Sequence, residues 1–332
     1  MRALESFPRV SLGFFPTPIE PLPRVGAMLG IELWIKRDDY TGFGGGGNKV
    51  RKLEFLMAEA QAAGAEVLIT TGGHQSNHAR MVAAAACRFG MRAVLVLRGN
   101  PPQEWQGNLL LDRLFGAEFE FLPPNEYFRL IDDRMAAQAE RARAAGLKPY
   151  VIPLGGASPL GALGYVLAMQ ELVEQFRALA VAPPDVIVTP VGSGGTQAGL
   201  EVGVRRWWPG TRVVGVSVSR DRAFFQERIS QFATACADLL GWGFGFANSD
   251  IWIEDGYVGP GYGVPSEGSV AAIREAASTE GVLLDPVYTG KAMDGLKGLV
   301  RAGNVRRGRR VLFLHCGGGP SLYPFARALA GE

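Results

Sequence analysis

The chain has 332 residues, of which 47% are hydrophobic and 20% are charged, and its 34 basic and 32 acidic residues give a formal net charge of +2. These values are typical of a globular protein and exclude a disordered or fibrous chain. The near-neutral balance also lacks the basic surface by which proteins bind nucleic acids or anionic membranes. Glycine is abundant, with 45 residues in short clusters, which indicates loops where the backbone approaches a ligand.

Strands and helices are predicted to alternate along most of the chain. An early strand is predicted at 32–39, then strands at 65–73, 91–99 and 117–123, with helices at 78–90, 108–116 and 132–146. A second series has helices at 163–179 and 196–208, a strand and loop at 184–195, and strands at 211–219 and 309–319. This alternation predicts βαβ units, and therefore an α/β fold with two doubly wound, mostly parallel sheets.

The two series of elements predict two domains. We expect the early strand, which precedes the first series, to join the sheet of the second series. The first series then becomes an insertion. The predicted small domain covers residues 49–161, and the predicted large domain covers residues 1–48 together with 162–332.

Three glycine-rich loops, at 72–77, 192–196 and 316–320, follow predicted strands. Ligands of open α/β sheets bind beyond the carboxyl ends of the strands, so we expect these loops to meet at one crevice. The loop GSGGT (192–196) offers backbone N–H groups and two hydroxyls at a helix start, which favours a phosphate monoester. A tight strand-to-helix turn is the alternative interpretation. The loop has neither P-loop nor dinucleotide spacing, which argues against a dehydrogenase.

Lys49 follows four glycines and begins an amphipathic helix, in a chain with only six lysines. The positive end of a helix lowers the pKa of an amine, which suits a lysine that forms a Schiff base. Lys52, one turn later, is predicted to lie on a solvated face. A surface charge is the alternative interpretation for Lys49, and the glycine run argues against it.

The remaining polar residues give weaker signals. His74 and His78 have the spacing of a helical zinc pair, but no third ligand matches, so no metal site is predicted. The three cysteines lie far apart, and the first ten residues lack the apolar run of a signal peptide. We therefore expect a cytoplasmic protein that contacts neither membrane nor nucleic acid.

Six motifs in order resemble those of the D-cysteine desulfhydrase and 1-aminocyclopropane-1-carboxylate (ACC) deaminase family. The matching segments run from about residue 10 to 325 and read TGFGGGGNKVRKLEFL, TTGGHQSNHAR, VGSGGTQAGL, PGYGVP, LLDPVYTGKA and FLHCGGGPSLY. The resemblance implies fold type II of the pyridoxal-phosphate (PLP) enzymes, with PLP in the crevice between two domains. It also implies a small amino-acid substrate and a homodimer.

The family implies a role for each matching position. Lys49 would bind PLP as a Schiff base and then take the Cα proton, and Asn77 would hydrogen-bond the ring hydroxyl. The cofactor phosphate would lie on Gly192, Ser193, Gly194, Gly195 and Thr196. Substrate would contact Ser76, Asn77, His78, Tyr262 and Tyr288, of which Ser76 would bind the carboxylate and the tyrosines would guide protons.

Two positions bear on which reaction the family resemblance implies. In the segment 285–291, ACC deaminases resemble DPVYEGK, with glutamate at the position of Thr289 in this chain. At the position of Cys316, ACC deaminases carry leucine and desulfhydrases carry threonine. A hydroxyl and a thiol leave the pyridine nitrogen near neutral, which is sufficient when a good β-leaving group departs. His78 also favours the desulfhydrase side.

The resulting prediction is α,β-elimination from D-cysteine, which yields pyruvate, ammonia and sulfide. The alternatives are ACC deaminase and L-cysteate sulfo-lyase. A non-catalytic small-molecule binding protein is the alternative from a different class, but it would not need Lys49.

Overall fold

The computed structural model describes residues 2–331 and has an α/β architecture. Its strands are β1 Ile19–Pro21, β2 Glu32–Arg37, β3 Val67–Gly73, β4 Arg92–Arg98, β5 Glu118–Leu122, β6 Pro149–Val151, β7 Val186–Val191, β8 Arg212–Ser217, β9 Trp252–Glu254 and β10 Arg310–His315. Its α-helices are α1 Pro23–Leu29, α2 Lys49–Ala62, α3 Asn77–Arg88, α4 Gly107–Leu114, α5 Tyr127–Ala144, α6 Pro159–Ala178, α7 Gly195–Trp207, α8 Arg222–Leu240, α9 Glu267–Glu280, α10 Thr289–Arg301 and α11 Ala326–Ala330.

The strands form two separate sheets. The larger has the order β1-β2-β10-β7-β8-β9, and β1 is its one antiparallel member among the described residues. The smaller has the order β5-β4-β3-β6 and is parallel throughout. The predicted α/β class with two mostly parallel sheets is therefore confirmed. The early strand β2 lies in the larger sheet beside β10, whereas the division of the chain at 49 and 161 stays a prediction.

Both faces of each sheet are covered by helices, which explains the nearly continuous apolar runs of the strands. In the small sheet, Leu95 and Leu97 pack toward α2 and α3, while Val94 and Val96 pack toward α5. In the large sheet, alternate residues such as Val311 and Leu312 likewise belong to cores on opposite faces. The alternation places the central side chains of the strands in a core and leaves the carboxyl ends of the strands to carry polar loops.

Two helices begin earlier than the sequence predicts. The helix predicted at 163–179 begins at Pro159, because the Ser158 side chain caps it and proline is tolerated in the first turn. The helix predicted at 132–146 begins at Tyr127. Helix α8, between β8 and β9, was not predicted at all. Within residues 2–331, no helix has the length and apolar character needed to cross a membrane.

Candidate active site

A cavity of about 330 Å³ opens where the loops after β3 and β7 face each other. Its lining includes Gly73 and Ser76 from the first loop, Gly192 and Ser193 from the second, and Lys49 from the start of α2. The third glycine loop lies differently. Its residues 317–320 line a neighbouring cavity of about 710 Å³, so two of the three loops, and not all three, border the Lys49 cavity.

The third loop instead supports the backbone that leads to Lys49. The Cys316 carbonyl accepts a hydrogen bond from the Asn48 N–H at 3.0 Å, and the Asn48 side chain donates to Thr196 Oγ1 at 3.1 Å. These two bonds join the residue before Lys49 to β10 on one side and to α7 on the other. The backbone ahead of Lys49 is thus fixed between the two loops that end β7 and β10.

Lys49 is the first residue of α2, and its amine faces the cavity. Desolvation by the surrounding protein lowers the pKa of this amine, an effect that the nearby Cys316 thiol only partly opposes. A methyl group added at Gly155 would lie 3.7 Å from Lys49 Nζ and would collide with Ser193 Oγ. The amine and the loop after β7 therefore share the space above Gly155. A lysine with a lowered pKa is a better nucleophile and base near neutral pH.

The loop 192–196 forms an anion cradle at the start of α7. Gly194 has φ of 91°, a left-handed conformation that favours glycine, and α7 begins at the next residue. The free N–H groups of this helix start and the Ser193 and Thr196 hydroxyls are available to an anion. Arg228 on α8 donates from Nε to the Ser193 carbonyl at 3.1 Å, which places a further positive charge beside the cradle.

Lys52 is buried, so its predicted position on a solvated face is wrong. Helix α2 packs against both α3 and α6, and this leaves it no solvated face at that turn. Lys52 Nζ donates to the Gly155 carbonyl at 3.3 Å, and a methyl group added at Gly195 would lie 3.0 Å from it. Burial, with the nearby charge of Lys49, lowers the pKa of Lys52 well below its ordinary value. Burial therefore disfavours the charged form of Lys52, and an anion bound in the cradle would stabilise its ammonium form.

The loop after β3 brings Ser76, Asn77 and His78 to the start of α3. Ser76 Oγ caps the helix by accepting from the Ala79 N–H at 3.2 Å, and its own proton stays free to donate. Asn77 Oδ1 accepts from Asn108 Nδ2 at 2.9 Å, which leaves the Asn77 NH₂ group as a donor. Asn77 is buried and, unlike Ser76 and His78, does not border the cavity.

The hydrogen bonds of His78 define its tautomer. Thr70 Oγ1 donates to the Ile152 carbonyl at 2.8 Å and lies 2.8 Å from His78 Nε2. Since the Thr70 proton is used in the bond to Ile152, we assign the donor to His78 Nε2; Nδ1 has no hydrogen-bond partner among the described residues. Burial and the charges of Lys49 and Lys52 lower the pKa of His78 well below its usual value. His78 is therefore neutral at physiological pH.

Tyr262 and Tyr288 form a pair whose hydroxyl oxygens are 2.6 Å apart. The pair bridges the two loops, because a methyl group at Gly73 would lie 2.9 Å from the Tyr262 ring and one at Gly192 would lie 3.3 Å from the Tyr288 ring. Burial raises the pKa of Tyr262 to about 12 and that of Tyr288 well above its usual value. Both tyrosines are therefore neutral and can pass a proton between them.

The backbone of each tyrosine is held by a buried charged residue. Asp285 accepts from the N–H groups of Val287, Tyr288 and Thr289 at 2.8 to 3.0 Å, which fixes the first turn of α10. Lys291 donates to the Val258 carbonyl at 2.7 Å and to the carbonyl of Gly261, the residue immediately before Tyr262, at 2.8 Å. Sequence reasoning missed both residues, although each lies inside the DPVYTGK segment.

Thr289 and Cys316 are buried, and neither borders the cavity itself. Thr289 Oγ1 donates to Asp285 Oδ1 and accepts from the Asp285 N–H, each at 2.7 Å, so its single proton is committed. Cys316 Sγ lies 4.0 Å from Thr189 Oγ1, and burial raises the pKa of the thiol to about 12. Neither side chain carries a charge at neutral pH.

Comparison with known proteins agrees with this geometry. The family model described as pyridoxal-phosphate dependent enzyme matches residues 10–317. The chain is 42% identical over 327 residues to the D-cysteine desulfhydrases of Salmonella choleraesuis (strain SC-B67) and Salmonella typhi, with 97% of this chain and 97% of each relative covered. The crystal structure of an ACC deaminase homologue matches with a TM-score of 0.90 at 40% identity and covers 99% of this chain and 97% of that one.

More distant structures show the same fold. The processed form of threonine deaminase isoform 2 from Solanum lycopersicum matches with a TM-score of 0.68 at 18% identity, over 99% of this chain and 86% of that one. The chain therefore belongs to the family of pyridoxal-phosphate dependent enzymes. It is an enzyme of fold type II, and PLP is its cofactor.

The cavity residues fit this cofactor. A phosphate monoester matches the cradle at the start of α7, where the Lys52 ammonium and the Arg228 guanidinium add positive charge. An aldehyde carbon suits the Lys49 amine, whose pKa is lowered by desolvation. The cradle and the amine meet around Gly155, which has φ of 69° and no side chain to fill the space between them.

Proposed function

We propose that this enzyme is a lyase that catalyses α,β-elimination from D-cysteine to give pyruvate, ammonia and sulfide. The observation that carries the proposal is a desolvated Lys49 amine facing a phosphate cradle, in a chain 42% identical to D-cysteine desulfhydrases over 97% of its length. The reaction needs a base at Cα, a site for the substrate carboxylate and a place for the sulfur to leave.

Each part of the cofactor is assigned to residues of this chain. Loop 192–196 and Lys52 would hold the phosphate, Lys49 would hold the aldehyde carbon, and Asn77 would donate to the ring hydroxyl. Thr289 and Cys316 would be the side chains near the pyridine nitrogen. When bound, PLP supplies the electron sink that stabilises negative charge developing at Cα.

The side chains around the cavity bind the substrate carboxylate and transfer protons to and from the substrate. Ser76 and the N–H groups at the start of α3 bind the carboxylate, as expected at a helix N-terminus. The Lys49 amine would take the Cα proton, and the C–S bond would break with its electron pair leaving on sulfur. The Tyr262–Tyr288 pair borders the same cavity and can supply a proton, because both hydroxyls remain protonated. Water then converts the remaining enamine to pyruvate and ammonia.

ACC deaminase is the second candidate function, supported by the 40% identity with an ACC deaminase homologue. Ring opening of a cyclopropane benefits from a protonated pyridine nitrogen, which a nearby carboxylate would stabilise. The Thr289 proton is committed to Asp285, and Cys316 is a neutral thiol, so neither provides that charge. The lack of a charged group beside the pyridine nitrogen favours elimination of a good leaving group over opening of a cyclopropane ring.

The first test is spectroscopic. The purified enzyme should be yellow, and Lys49→Ala should abolish the absorbance of the lysine-bound cofactor. Lys148→Ala, a change at an exposed lysine on the small sheet, is the matched control and should leave the spectrum unchanged. A colourless protein that takes up no PLP would contradict the proposal and favour a non-catalytic binding protein.

The second test is of substrate. Pyruvate formation from D-cysteine and L-cysteine is compared with 2-oxobutanoate formation from ACC. Elimination from D-cysteine at the highest kcat/KM supports the proposal. Turnover of ACC without turnover of D-cysteine would overturn the ranking of the two functions.

The proposal also includes a cytoplasmic homodimer and the division into domains 49–161 and 1–48 with 162–332. The support for these features is the resemblance to the family, together with a small sheet whose strands all lie within residues 67–151. Light scattering of the eluted holoenzyme measures the mass, and a value near 35.6 kDa would contradict the dimer.

A further inference from the structure

The run of four glycines ahead of Lys49 has a backbone conformation that other residues rarely adopt. In chain order, the glycines at 44–47 have φ of 55°, 87°, 73° and 131°, so all four lie in the left-handed region that favours glycine. The run lies between β2 of the large sheet and α2, whose apolar residues pack with those of the small sheet. Its conformation therefore sets how the backbone enters the helix that begins at Lys49.

Two carbonyl groups of this run bind a buried arginine. Arg80 on α3 is fully buried, and it donates from Nη1 to the Gly44 carbonyl and from Nη2 to the Gly46 carbonyl, the second at 2.9 Å. A guanidinium is a rigid planar fork of donors, so it fits two carbonyls only while the run keeps its conformation. Both partners lie inside motifs that carry the family resemblance, yet nothing local in the sequence shows that they meet.

The last residue of the run is held by a different group. Thr41 Oγ1 donates to the Gly47 carbonyl at 2.9 Å and accepts from the Gly47 N–H at 2.7 Å. Arg80 holds the middle of the run, and it does so from the helix that also carries Asn77, about one turn earlier. The arginine thus joins the backbone ahead of Lys49 to the helix of Asn77, and these are the residues assigned to the cofactor aldehyde and to its ring hydroxyl.

The two carbonyls also compensate the charge of Arg80. Asp112 on α4 is the acidic group whose charge acts on Arg80, but neither Asp112 oxygen has a hydrogen-bond partner among residues 2–331. Burial raises the pKa of Asp112 well above its usual value, which favours the neutral acid. Burial lowers the pKa of Arg80 to about 10, so this side chain remains cationic at neutral pH. Because a buried cation is unfavourable without polar partners, the glycine carbonyls are the groups that stabilise it.

We propose that Arg80 is a positioning residue, which locks the glycine run and thereby holds the Lys49 amine at the cofactor aldehyde. The proposal rests on the proposed function, because the assignment of Lys49 to PLP is made there. Arg80 lies outside the lining of the Lys49 cavity, so it acts through the backbone and touches no reacting atom. Displacement of a reacting group by about 1 Å lowers a rate by about 100-fold, so a lock on this backbone bears directly on catalysis.

The test measures where bound PLP is attached. Borohydride fixes lysine-bound PLP covalently to its amine, and peptide mapping then gives the share of bound PLP attached to Lys49. In Arg80→Met we expect this share to fall. We also expect kcat for D-cysteine, expressed per bound PLP, to fall by about 100-fold, the cost of misplacing the amine by about 1 Å. KM should change less, because the residues assigned to the substrate carboxylate are untouched.

Two further variants separate positioning from folding. Arg80→Lys keeps the positive charge, but a single ammonium replaces the planar fork, so this variant should recover only part of the kcat per bound PLP. Arg88→Met changes an exposed arginine in the last turn of the same helix, and this matched control should keep the wild-type share on Lys49 and the wild-type kcat. Expressing kcat per bound PLP removes the effect of any fraction of the protein that fails to fold.

The outcomes separate this proposal from the proposed function. If Arg80→Met loses only stability to urea and keeps both the wild-type share on Lys49 and the wild-type kcat per bound PLP, Arg80 has a purely structural role and the proposal is overturned. If Arg80→Met does not fold, wild-type values of both quantities in Arg80→Lys would overturn it in the same way. A wild-type enzyme that does not eliminate D-cysteine would contradict the proposed reaction alone, because a fall in the share on Lys49 would still support the role of Arg80.

Discussion

Replacing Arg51 by methionine should destabilise the protein far more than an ordinary arginine substitution. Arg51 lies two residues after Lys49 on α2 and is buried. Its guanidinium donates to both carboxylate oxygens of Asp38 at 2.8 Å and to Glu171 at 2.9 Å. Removal of one partner from a buried ion pair costs about 3–5 kcal/mol, because it leaves the other charge uncompensated. Glu171 keeps Lys36 as a partner, so Asp38 bears most of the loss.

The sign of the pH dependence distinguishes this reasoning from a general packing defect. In the wild type, burial raises the pKa of Asp38, but Arg51, together with Lys36 and the Tyr165 hydroxyl, outweighs burial and holds the pKa below its usual value. The stability that this group contributes is present above the unfolded pKa, about 3.9, and is lost only as pH falls through the lower folded pKa. In Arg51→Met, burial dominates and the folded pKa is raised. Protonation then favours the folded state, so the variant gains stability as pH falls toward 5.

Urea unfolding of wild type and variant at pH 7 and pH 5 measures the loss of stability in Arg51→Met and its dependence on pH. PLP is kept at one saturating concentration, because a ligand that binds only the folded state raises the apparent stability. The difference in free energy of unfolding should narrow by up to about 1.4 kcal/mol per pH unit where Asp38 takes up its proton.

Two further variants complete the experiment. Asp38→Asn in the Arg51→Met background should recover part of the loss. Arg9→Met removes a half-exposed partner of Glu54 on the same helix and should cost less than about 1 kcal/mol. A difference that is equal at both pH values and is not reduced by Asp38→Asn would refute the argument.

The remaining predictions concern the cavity. Lys52→Met should raise the Kd for PLP by about 10- to 150-fold, the loss of one charge-assisted hydrogen bond, as measured by titration of the cofactor absorbance. Gly73→Ala should lower kcat/KM by about 10-fold because its methyl group displaces the Tyr262 ring, whereas Gly256→Ala, which adds a methyl group in open space, should not. Lys291→Met should lower kcat by loosening the backbone before Tyr262. In a Tyr262→Phe background, Lys291→Met should lower kcat only a little further, because both changes act through Tyr262. If the two losses in free energy of activation are additive, the two residues are not coupled.

The sequence predicted most at positions where glycines indicate an unusual backbone conformation. Loop 192–196 was interpreted as a phosphate cradle because its glycines and hydroxyls lie at a strand-to-helix junction, and Lys49 was singled out because it follows four glycines at a helix start. The sheet class followed from the alternation of predicted strands and helices along the chain. These signals are local, so they can be read without knowing the tertiary contacts.

The properties that depend on tertiary contacts could not be read in this way. Lys52 was assigned to solvent because a helix with polar positions normally has an exposed face, and nothing local shows that α2 packs on both sides. Arg98 gave no signal because it ends an ordinary strand, and its place in the cavity lining depends on residues far along the chain. The tautomer of His78 requires knowledge of Thr70 and Ile152, which lie on different strands or loops.

The strand order has a consequence for the nascent chain. All four strands of the small sheet lie within residues 67–151, so they can pair as soon as that segment has been synthesised. Strand β2 is different, because its parallel partner β10 comes about 280 positions later and also separates it from β7. The hydrogen bond from the Asn48 N–H to the Cys316 carbonyl, which fixes the backbone before Lys49, can form only after β10 has been synthesised. The site for the cofactor is thus completed only after residue 316 has been synthesised, when the smaller sheet has had time to fold.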